Sequence, residues 1–317
     1  MELRHSHSIC VVSHDNYASL YGKVNAYLSK GYAVVYAVEE LAVTDTIRKM
    51  NDAGVRATNY VDNNALTILD RNSVYSQSRT KLEGRLLLET WKEIISKVNQ
   101  KGNFKGIAAM GMPEPFFETT NHQKLVEYEQ LVSKVFDGSI EAVCCYSQKS
   151  VTDLSLRHLV SLLNSHQYTV ANVKENNEWH PTDLLEMITK GLEKTIGKTS
   201  SKLALEAIKA MYKIDEKTII SQPEVFERGI KKMLADSAET VFDAIKGEII
   251  TSISFNQAHL QSRQSMEQVS AGLNFLICRS CNWSATALAN WKPVICPVCH
   301  NNAVSSLPMN YPDADKR

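Results

Sequence analysis

The stretch "SICVVSHDNYASLYGKVNAYLSKGYAVVYAV" (8–38) decides the fold class of this chain. It begins with a β-branched apolar run (8–13), continues with a segment of helical periodicity that ends at glycine (16–31), and closes with a second apolar run (32–38). Strand, helix and strand in that order predict a βαβ unit with parallel strands. Because both strands are apolar throughout rather than at alternate positions, we expect helices to cover both faces of the sheet.

The same alternation continues to about residue 172. Further apolar strands are predicted at 65–70, 104–111, 140–147 and 168–172, and helices at 44–54, 80–102, 120–136 and 152–165. This order predicts a mostly parallel α/β sheet with helices on both faces. After about residue 178 the strands stop, and helices are predicted at 181–196, 200–212, 223–234 and 236–250. That shift of composition indicates a second, small all-α domain.

The amino-acid composition and net charge limit the class of protein to which this chain can belong. Of the 317 residues, 44% are hydrophobic and 22% charged, so the chain can bury a sizeable core. The formal net charge is zero, which confines any nucleic-acid site to a local patch. No apolar run approaches the ~20 residues that span a bilayer, and the first residues lack the features of a signal peptide. We expect a cytoplasmic protein with no membrane partner.

The stretch "GLEKTIGKTS" (191–200) resembles the end of a phosphate-binding loop, but its spacing is wrong. That loop needs four residues between its first glycine and the Gly-Lys pair, and here five separate Gly191 from Gly197. The preceding apolar residues recur at helical spacing, whereas the loop needs a strand before it. We expect a helix that ends at Gly197 and a following helix capped by Thr199 or Ser200. No phosphate-binding loop, and no enzyme activity, is therefore predicted.

Two Cys-x2-Cys pairs close the chain, separated by 14 residues. The four thiols belong to Cys278, Cys281, Cys296 and Cys299. This spacing predicts a zinc ribbon, in which four thiolates fill the tetrahedral shell of a structural Zn²⁺ and leave no position for water. A redox pair is the alternative interpretation. His300 follows directly and either replaces one cysteine as a ligand or is simply solvated.

The residue types of the ribbon do not decide whether it binds nucleic acid or protein. Trp283, Trp291, Arg279 and Lys292 are suited to stacking on bases and contacting phosphates, and equally to covering a small core and docking a protein. Upstream, Lys190, Lys194, Lys198 and Lys202 repeat every four residues. Such a stripe either tracks phosphates or forms an ordinary solvated helix face.

Four motifs of the first half resemble one family. They are "HSHSIC" (5–10), "YLSKGYAVVYAVEE" (27–40), "LVEYEQLVSKVF" (125–136) and "EAVCCYSQKSVTDLSLRHLVSLLNSH" (141–166). In this order they resemble the MEDS domain, the methanogen/methylotroph sensory domain found in the dichloromethane-responsive regulator. The resemblance implies a RecA/KaiC-like fold that has lost its phosphate loop and that senses small molecules. Residues 187–250 are similar to a helical output domain of archaeal signalling proteins.

The segments predicted from these observations are a MEDS-like sensory α/β domain (1–178), a helical output domain (179–251), a linker or helix (252–272), a zinc ribbon (273–308) and a flexible tail (309–317).

Ligands of open parallel sheets bind beyond the carboxyl ends of the strands. The candidates for ligand binding are His7, His14, Glu39, Glu40, Gly111, Met112, Glu114 and Tyr146. Either Glu39 or Glu40 meets a ligand or cation, or one of them caps the next helix. Family members usually carry an acid at the place of Met112, and this departure indicates a more apolar pocket or plain core packing. The sequence leaves open whether Glu129 and His166 are buried and paired or exposed.

The leading hypothesis is a cytoplasmic sensor of an unknown small molecule that regulates transcription through its helical domain and ribbon, which would contact DNA or a protein. The alternatives are a KaiC-like nucleotide-binding enzyme that uses Glu39 or Glu40 on a metal, and a zinc-ribbon transcription factor whose affinity for DNA resides in the ribbon and the lysines.

Overall fold

A seven-stranded sheet forms the centre of the computed structural model. The structure describes residues 6–12, 17–38, 43–75, 83–118, 121–136, 140–170, 177–178, 181–254, 273–278, 280, 284–288, 299 and 304–308. The strands of the sheet are β1 (Ser6–Val12), β2 (Ala33–Val38), β3 (Leu66–Asp70), β4 (Ile107–Gly111), β5 (Ile140–Ser147), β6 (Tyr168–Thr169) and β7 (Asn177–Glu178).

The strands are ordered β3-β2-β4-β5-β1-β6-β7. All neighbouring pairs are parallel except the last, in which β7 runs antiparallel to β6. The predicted α/β fold with a mostly parallel sheet is thereby confirmed. In the register of the central strands, Ile9 lies beside Cys144 and Gly111 lies beside Cys144 on the other side.

Helices cover both faces of this sheet. One face carries α1 (Tyr17–Ser29), α2 (Val43–Asp52) and α3 (Ala57–Asp62); the other carries α4 (Arg71–Tyr75), α5 (Gly84–Asn99), α6 (Pro115–Glu118), α7 (His122–Val135), α8 (Gln148–Asp153) and α9 (Leu156–Asn164). Because side chains alternate along a strand, Cys10 and Val12 pack towards α1, whereas Ile9 and Val11 pack towards α5 and α7. Apolar residues at consecutive positions therefore serve two separate cores.

Five further helices pack on the α7 side. They are α10 (Pro181–Ile196), α11 (Lys198–Tyr212), α12 (Glu216–Ser221), α13 (Pro223–Leu234) and α14 (Ala238–Ile253). Their apolar residues belong to the same core cluster as Ile9 and Val11 of β1. Helix α14 contacts β1, α8 and α9, and the residue that follows it, Ser254, forms a parallel bridge with Val11. The helical segment is thus built onto the sheet.

The stretch that resembled a phosphate loop is the junction of α10 and α11. Gly191 lies inside α10, where a Cβ atom would come within 2.5 Å of the Ile245 Cα, so the glycine permits the close approach of α14. Gly197 has a φ of +79° and is itself the N-cap of α11, which begins earlier than predicted, at Lys198. The left-handed backbone at this position explains why glycine stands there.

Near its end the chain forms a second, antiparallel sheet of order β10-β8-β9. Its strands are β8 (Leu273–Cys278), β9 (Ser284–Leu288) and β10 (Val304–Pro308). Cys278 is the last residue of β8, and Cys299 is exposed. Cys281, Cys296 and His300 lie outside the described residues, so the zinc ligands stay a prediction.

Candidate functional site

The predicted ligand-binding residues fall on both faces of the sheet. Met112 is fully buried in the core beneath α1. Glu114 is buried as well, and its carboxylate accepts hydrogen bonds from the Ser147 N–H (3.3 Å) and the Ser150 hydroxyl (2.6 Å). It therefore holds the first turn of α8. His14, Glu39 and Glu40 lie outside the described residues.

His7, Gly111 and Tyr146 lie together on the α7 side of the sheet. His7 and Tyr146 join a buried group that we call the His–Glu–Cys cluster: His7, Glu129, Cys144, Tyr146 and His166. These side chains come from β1, α7, β5 and the turn after α9. None is more than 7% exposed, and Glu129 is 0% exposed. The sequence left open whether Glu129 and His166 are buried; both are, and His166 Nε2 lies 3.5 Å from the Glu129 carboxylate.

The Glu129 carboxylate is the centre of the cluster. Its Oε1 accepts a 2.5 Å hydrogen bond from the Tyr146 hydroxyl. Its Oε2 lies 2.9 Å from His7 Nε2, 3.0 Å from Cys144 Sγ and 3.5 Å from His166 Nε2. Cys144 Sγ is also 3.3 Å from His7 Nε2, and the two imidazole rings stack with centroids 4.0 Å apart. The Tyr146 hydroxyl thus holds one carboxylate oxygen, while the other oxygen faces two imidazole nitrogens and one thiol sulfur.

The charge states follow from burial and from these contacts. Burial alone raises the pKa of Glu129, but hydrogen bonds and charge from His166 and His7 outweigh it and lower that pKa well below its usual range. Burial, and then the neighbouring His7 ring, lower the pKa of His166, so this imidazole is neutral at pH 7. Burial and the Glu129 charge raise the pKa of Cys144 and Tyr146, which leaves both protonated. The thiol and the phenol are therefore uncharged groups beside the Glu129 carboxylate.

A small cavity adjoins the cluster at Cys144. It measures about 20 Å³ and is lined by Tyr75, Trp91, Ala109, Gly111, Pro113, Tyr128, Val132, Phe136, Ala142, Val143 and Cys144. The Trp91 indole N–H is buried within reach of the Tyr75 and Tyr128 hydroxyls, but among the described residues no acceptor is aligned with it in good hydrogen-bond geometry. Burial raises the pKa of both tyrosines, so their hydroxyls stay protonated. The cavity therefore offers polar groups to a ligand inside an apolar wall.

Several residues of this site carried no clear signal in the sequence. Trp91 is one of the apolar residues on the buried stripe of α5, and Tyr75 ends a five-residue helix that was not predicted. Cys144 was visible only as part of an apolar strand. The Tyr-Glu pair of α7 and the histidine after α9 were recognised as motifs, but their meeting depends on a fold that joins residues 122 or more positions apart.

The predicted lysine stripe is partly neutralised. Lys190 forms an ion pair with Glu186 (2.7 Å), and Lys194 forms one with Glu248 of α14. Both pairs fit a solvated helix face better than a phosphate-tracking surface. In the part of the chain that the structure describes, no helix has the length and apolar character that a bilayer crossing requires.

Comparisons with known proteins identify a family for the α/β half of the chain. A family model described as MEDS, the methanogen/methylotroph, DcmR sensory domain, matches residues 6–167, a range that contains the whole His–Glu–Cys cluster. No curated protein matches the sequence. One similar solved structure is an uncharacterised protein of Pyrococcus horikoshii in complex with an unknown peptide, at 12% identity and a TM-score of 0.40, covering 52% of this chain and 77% of the other.

Proposed function

The chain belongs to the MEDS family of sensory domains, and we propose that it is a small-molecule sensor whose ligand enters the cavity between β4, β5, α5 and α7. The observation that carries this proposal is the buried Trp91 N–H, which has no well-aligned acceptor among the described residues and borders a cavity that also touches the His–Glu–Cys cluster. A buried polar group without a partner costs about 1–3 kcal/mol, and a ligand with an acceptor atom would remove that cost.

The cavity limits the class of ligand. A volume of about 20 Å³ is close to what one water molecule needs, about 10–15 Å³ by the same kind of measure. None of the described lining residues carries a formal charge. The ligand we propose is therefore a neutral molecule of a few heavy atoms, with an acceptor for Trp91 and an apolar remainder against Ala109, Ala142 and Val143.

The signal has a direct route to the rest of the chain. Cys144 borders the cavity, and two residues later Tyr146 holds Glu129. Strand β5 continues into α8, which contacts α14. We propose that ligand binding shifts the population of two arrangements of this packing, and that α14 transmits the shift towards the C-terminal sheet.

The output is proposed to act on transcription through a zinc ribbon. Cys278 and Cys299 belong to the two Cys-x2-Cys pairs, and the three-stranded antiparallel sheet, in which Cys278 ends β8, supports a ribbon. A structural Zn²⁺ held by Cys278, Cys281, Cys296 and Cys299 would stabilise a sheet that is too small to fold on apolar burial alone. The partner would be DNA or a protein.

We further propose that the α/β domain is RecA-like and has no ATPase activity. The doubly wound parallel sheet supports the first part. The residues after β1, "SHDN" (13–16), contain no glycine, and "GLEKTIGKTS" is a helix junction, which supports the second. Mg²⁺-ATP should therefore leave the melting temperature unchanged, and ATP-dependent stabilisation would favour the nucleotide-binding alternative.

The test of the sensor is native mass spectrometry followed by thermal shift. Protein purified from its own cells should carry a co-purifying small molecule, and that molecule, at about 100 times its Kd, should stabilise the protein by about 2.7 kcal/mol. Gly111→Ala should abolish the shift, because its Cβ would lie 2.9 Å from the Trp91 ring and the Tyr75 hydroxyl. Gly247→Ala, where nothing lies within 4 Å, is the matched control. An equal shift in both variants would exclude the cavity as the ligand site.

A further inference from the structure

Four metal-binding side chains converge beneath α7. Nε2 of His7, Nε2 of His166, Sγ of Cys144 and one oxygen of Glu129 all lie within 4.8 Å of one another, and all four residues are buried. Within the described ranges, no other group of three or more histidine, cysteine or acidic side chains is so close. Two imidazoles, a thiol and a carboxylate form the mixed nitrogen, sulfur and oxygen donor set that zinc uses in proteins.

Both imidazoles are already oriented for a cation. His7 Nδ1 lies 2.8 Å from the Ser165 carbonyl oxygen and His166 Nδ1 lies 2.7 Å from that of Leu162. A carbonyl only accepts hydrogen bonds, so each Nδ1 carries the proton. In the neutral ring the lone pair is then on Nε2, the atom that faces the cluster. Metal-bound histidines are held in this way, with the other ring nitrogen donating to a carbonyl or carboxylate.

The polar atoms of the cluster do not satisfy one another. His166 Nε2 is buried, has no hydrogen-bond partner among the described residues, and faces Glu129 Oε2 at 3.5 Å. For a neutral ring, two lone pairs point at each other across that distance. Meanwhile the Tyr146 hydroxyl occupies Glu129 Oε1 and leaves Oε2 to the cluster. A proton on one imidazole would form a buried ion pair with Glu129, but protons on both would leave one positive charge without a counter-charge in the cluster.

We propose that His7, His166, Cys144 and Glu129 form a second, buried zinc site, separate from the predicted ribbon. A Zn²⁺ ion with one thiolate, one carboxylate and two neutral imidazoles has a net charge of zero, so the site would be electrically neutral in the core. Binding releases the Cys144 thiol proton to solvent, as zinc does with coordinating thiols. Tyr146, Ser165 and Leu162 would orient the ligands without touching the ion.

The distances allow this with little movement. Tetrahedral Zn²⁺ with usual bond lengths separates its ligand atoms by about 3.3–3.8 Å. Four of the six distances between the ligand atoms are 2.9, 3.0, 3.3 and 3.5 Å, and the other two are within 4.8 Å. An outward shift of about 0.5 Å for the closest atoms is therefore sufficient to admit the ion.

The test is metal content in the full chain with the predicted ribbon site disabled. Cys296→Ser and Cys299→Ser together remove two of its four thiols. Cells grown with added zinc, and a purification without chelators, should yield this variant with one zinc per chain by inductively coupled plasma mass spectrometry. Growth with cobalt should give the visible d–d bands of tetrahedral Co²⁺ and a near-ultraviolet thiolate-to-cobalt charge-transfer band.

Two neighbouring cysteines supply a matched pair of variants in that background. Cys144→Ser should abolish the charge-transfer band, whereas Cys145→Ser should keep it, because Cys145 is also buried but faces α1. Tyr146→Phe should weaken zinc binding about 10–100-fold, as loss of a group that orients a ligand does.

The result that would overturn the proposal does not depend on these variants. A ribbon-disabled chain with normal helical circular dichroism, no bound zinc and no cobalt bands would show that the cluster is a hydrogen-bonded network without metal. A charge-transfer band that persists equally in Cys144→Ser and Cys145→Ser would do the same. Neither outcome bears on the ligand cavity, which the thermal-shift comparison tests separately.

Discussion

Replacement of Glu129 by alanine should be among the most destabilising single changes in the α/β domain. The carboxylate is 0% exposed, accepts hydrogen bonds from the Tyr146 hydroxyl (2.5 Å) and the Cys144 thiol (3.0 Å), and lies 2.9 Å from His7 Nε2. Each hydrogen bond to a charged group contributes about 1.5–3 kcal/mol, but such contributions do not add. Removal of one partner of a buried charged pair costs about 3–5 kcal/mol. We take that as the expected loss, a large fraction of the ~5–15 kcal/mol that stabilises a typical domain.

The assay is urea-induced unfolding followed by circular dichroism at 222 nm, which reports the helices that cover the sheet. Glu127→Ala is the matched control, because Glu127 lies on the same helix two residues earlier and is exposed. Its effect should stay within ~0.5 kcal/mol, as for surface substitutions in general. The wild-type and Glu129→Ala curves should be compared at pH 7 first.

The stability difference between wild type and Glu129→Ala should also depend on pH, in a direction that the Glu129 pKa determines. The folded-state pKa of Glu129 is lowered, so its stabilisation is present above the unfolded value of about 4.3 and is lost as the pH falls below it. The gap between wild type and Glu129→Ala should therefore narrow in acid. A loss below ~1 kcal/mol at pH 7, similar to that of an exposed residue, or a gap that widens in acid, would refute the cluster as the polar centre of the fold.

Four further changes test other parts of the structure. Gly191→Ala should lower the free energy of unfolding by ~1–3 kcal/mol, because the added Cβ overpacks against Ile245. Gly247→Ala lies in open space on α14 and should raise it by up to ~1 kcal/mol. Thermal unfolding of the two variants measures the difference. Burial, then Arg157, lower the pKa of His158 from 6.5 to about 4. Wild type therefore loses stability as the pH falls through that interval, and His158→Asn should flatten the loss in urea titrations at stepped pH. Cys278→Ser should lower zinc content by one equivalent while the helical circular dichroism is kept.

The fold was largely predictable because its main elements are long and strongly patterned. The continuous apolar runs of β1, β2 and β5 show burial on both faces, and α10 and α13 have the bounds that their periodicity predicted. The short helices α3, α4, α6 and α12 were missed, since four to six residues are too few to establish a period. Strand β7 has only two residues and no apolar pattern.

The site was predictable only in parts. The motifs around His7, Glu129 and His166 were visible in the sequence, but whether a lone glutamate on a helix is buried depends on what lies opposite it. Here the opposite residues are 15 to 122 positions away along the chain. The rule that ligands bind beyond strand ends directed attention to Glu114, which instead holds the start of α8. A cavity on a sheet face has no sequence signature, because its lining residues resemble ordinary core residues.

The position of Cys144 links stability to sensing. A buried charged cluster is a poor way to stabilise a core, since well-packed apolar residues would often do as well or better. Its value is that its arrangement is easily biased: Cys144 both borders the cavity and contacts Glu129. In the proposed sensor, a ligand that displaces the thiol would change the contacts of Glu129 on α7, and Tyr146, which also contacts Glu129, lies just before α8. Because packed helices move as units, the proposed sensor would transmit a change at one thiol as a shift of α7 relative to α8, and α8 contacts α14.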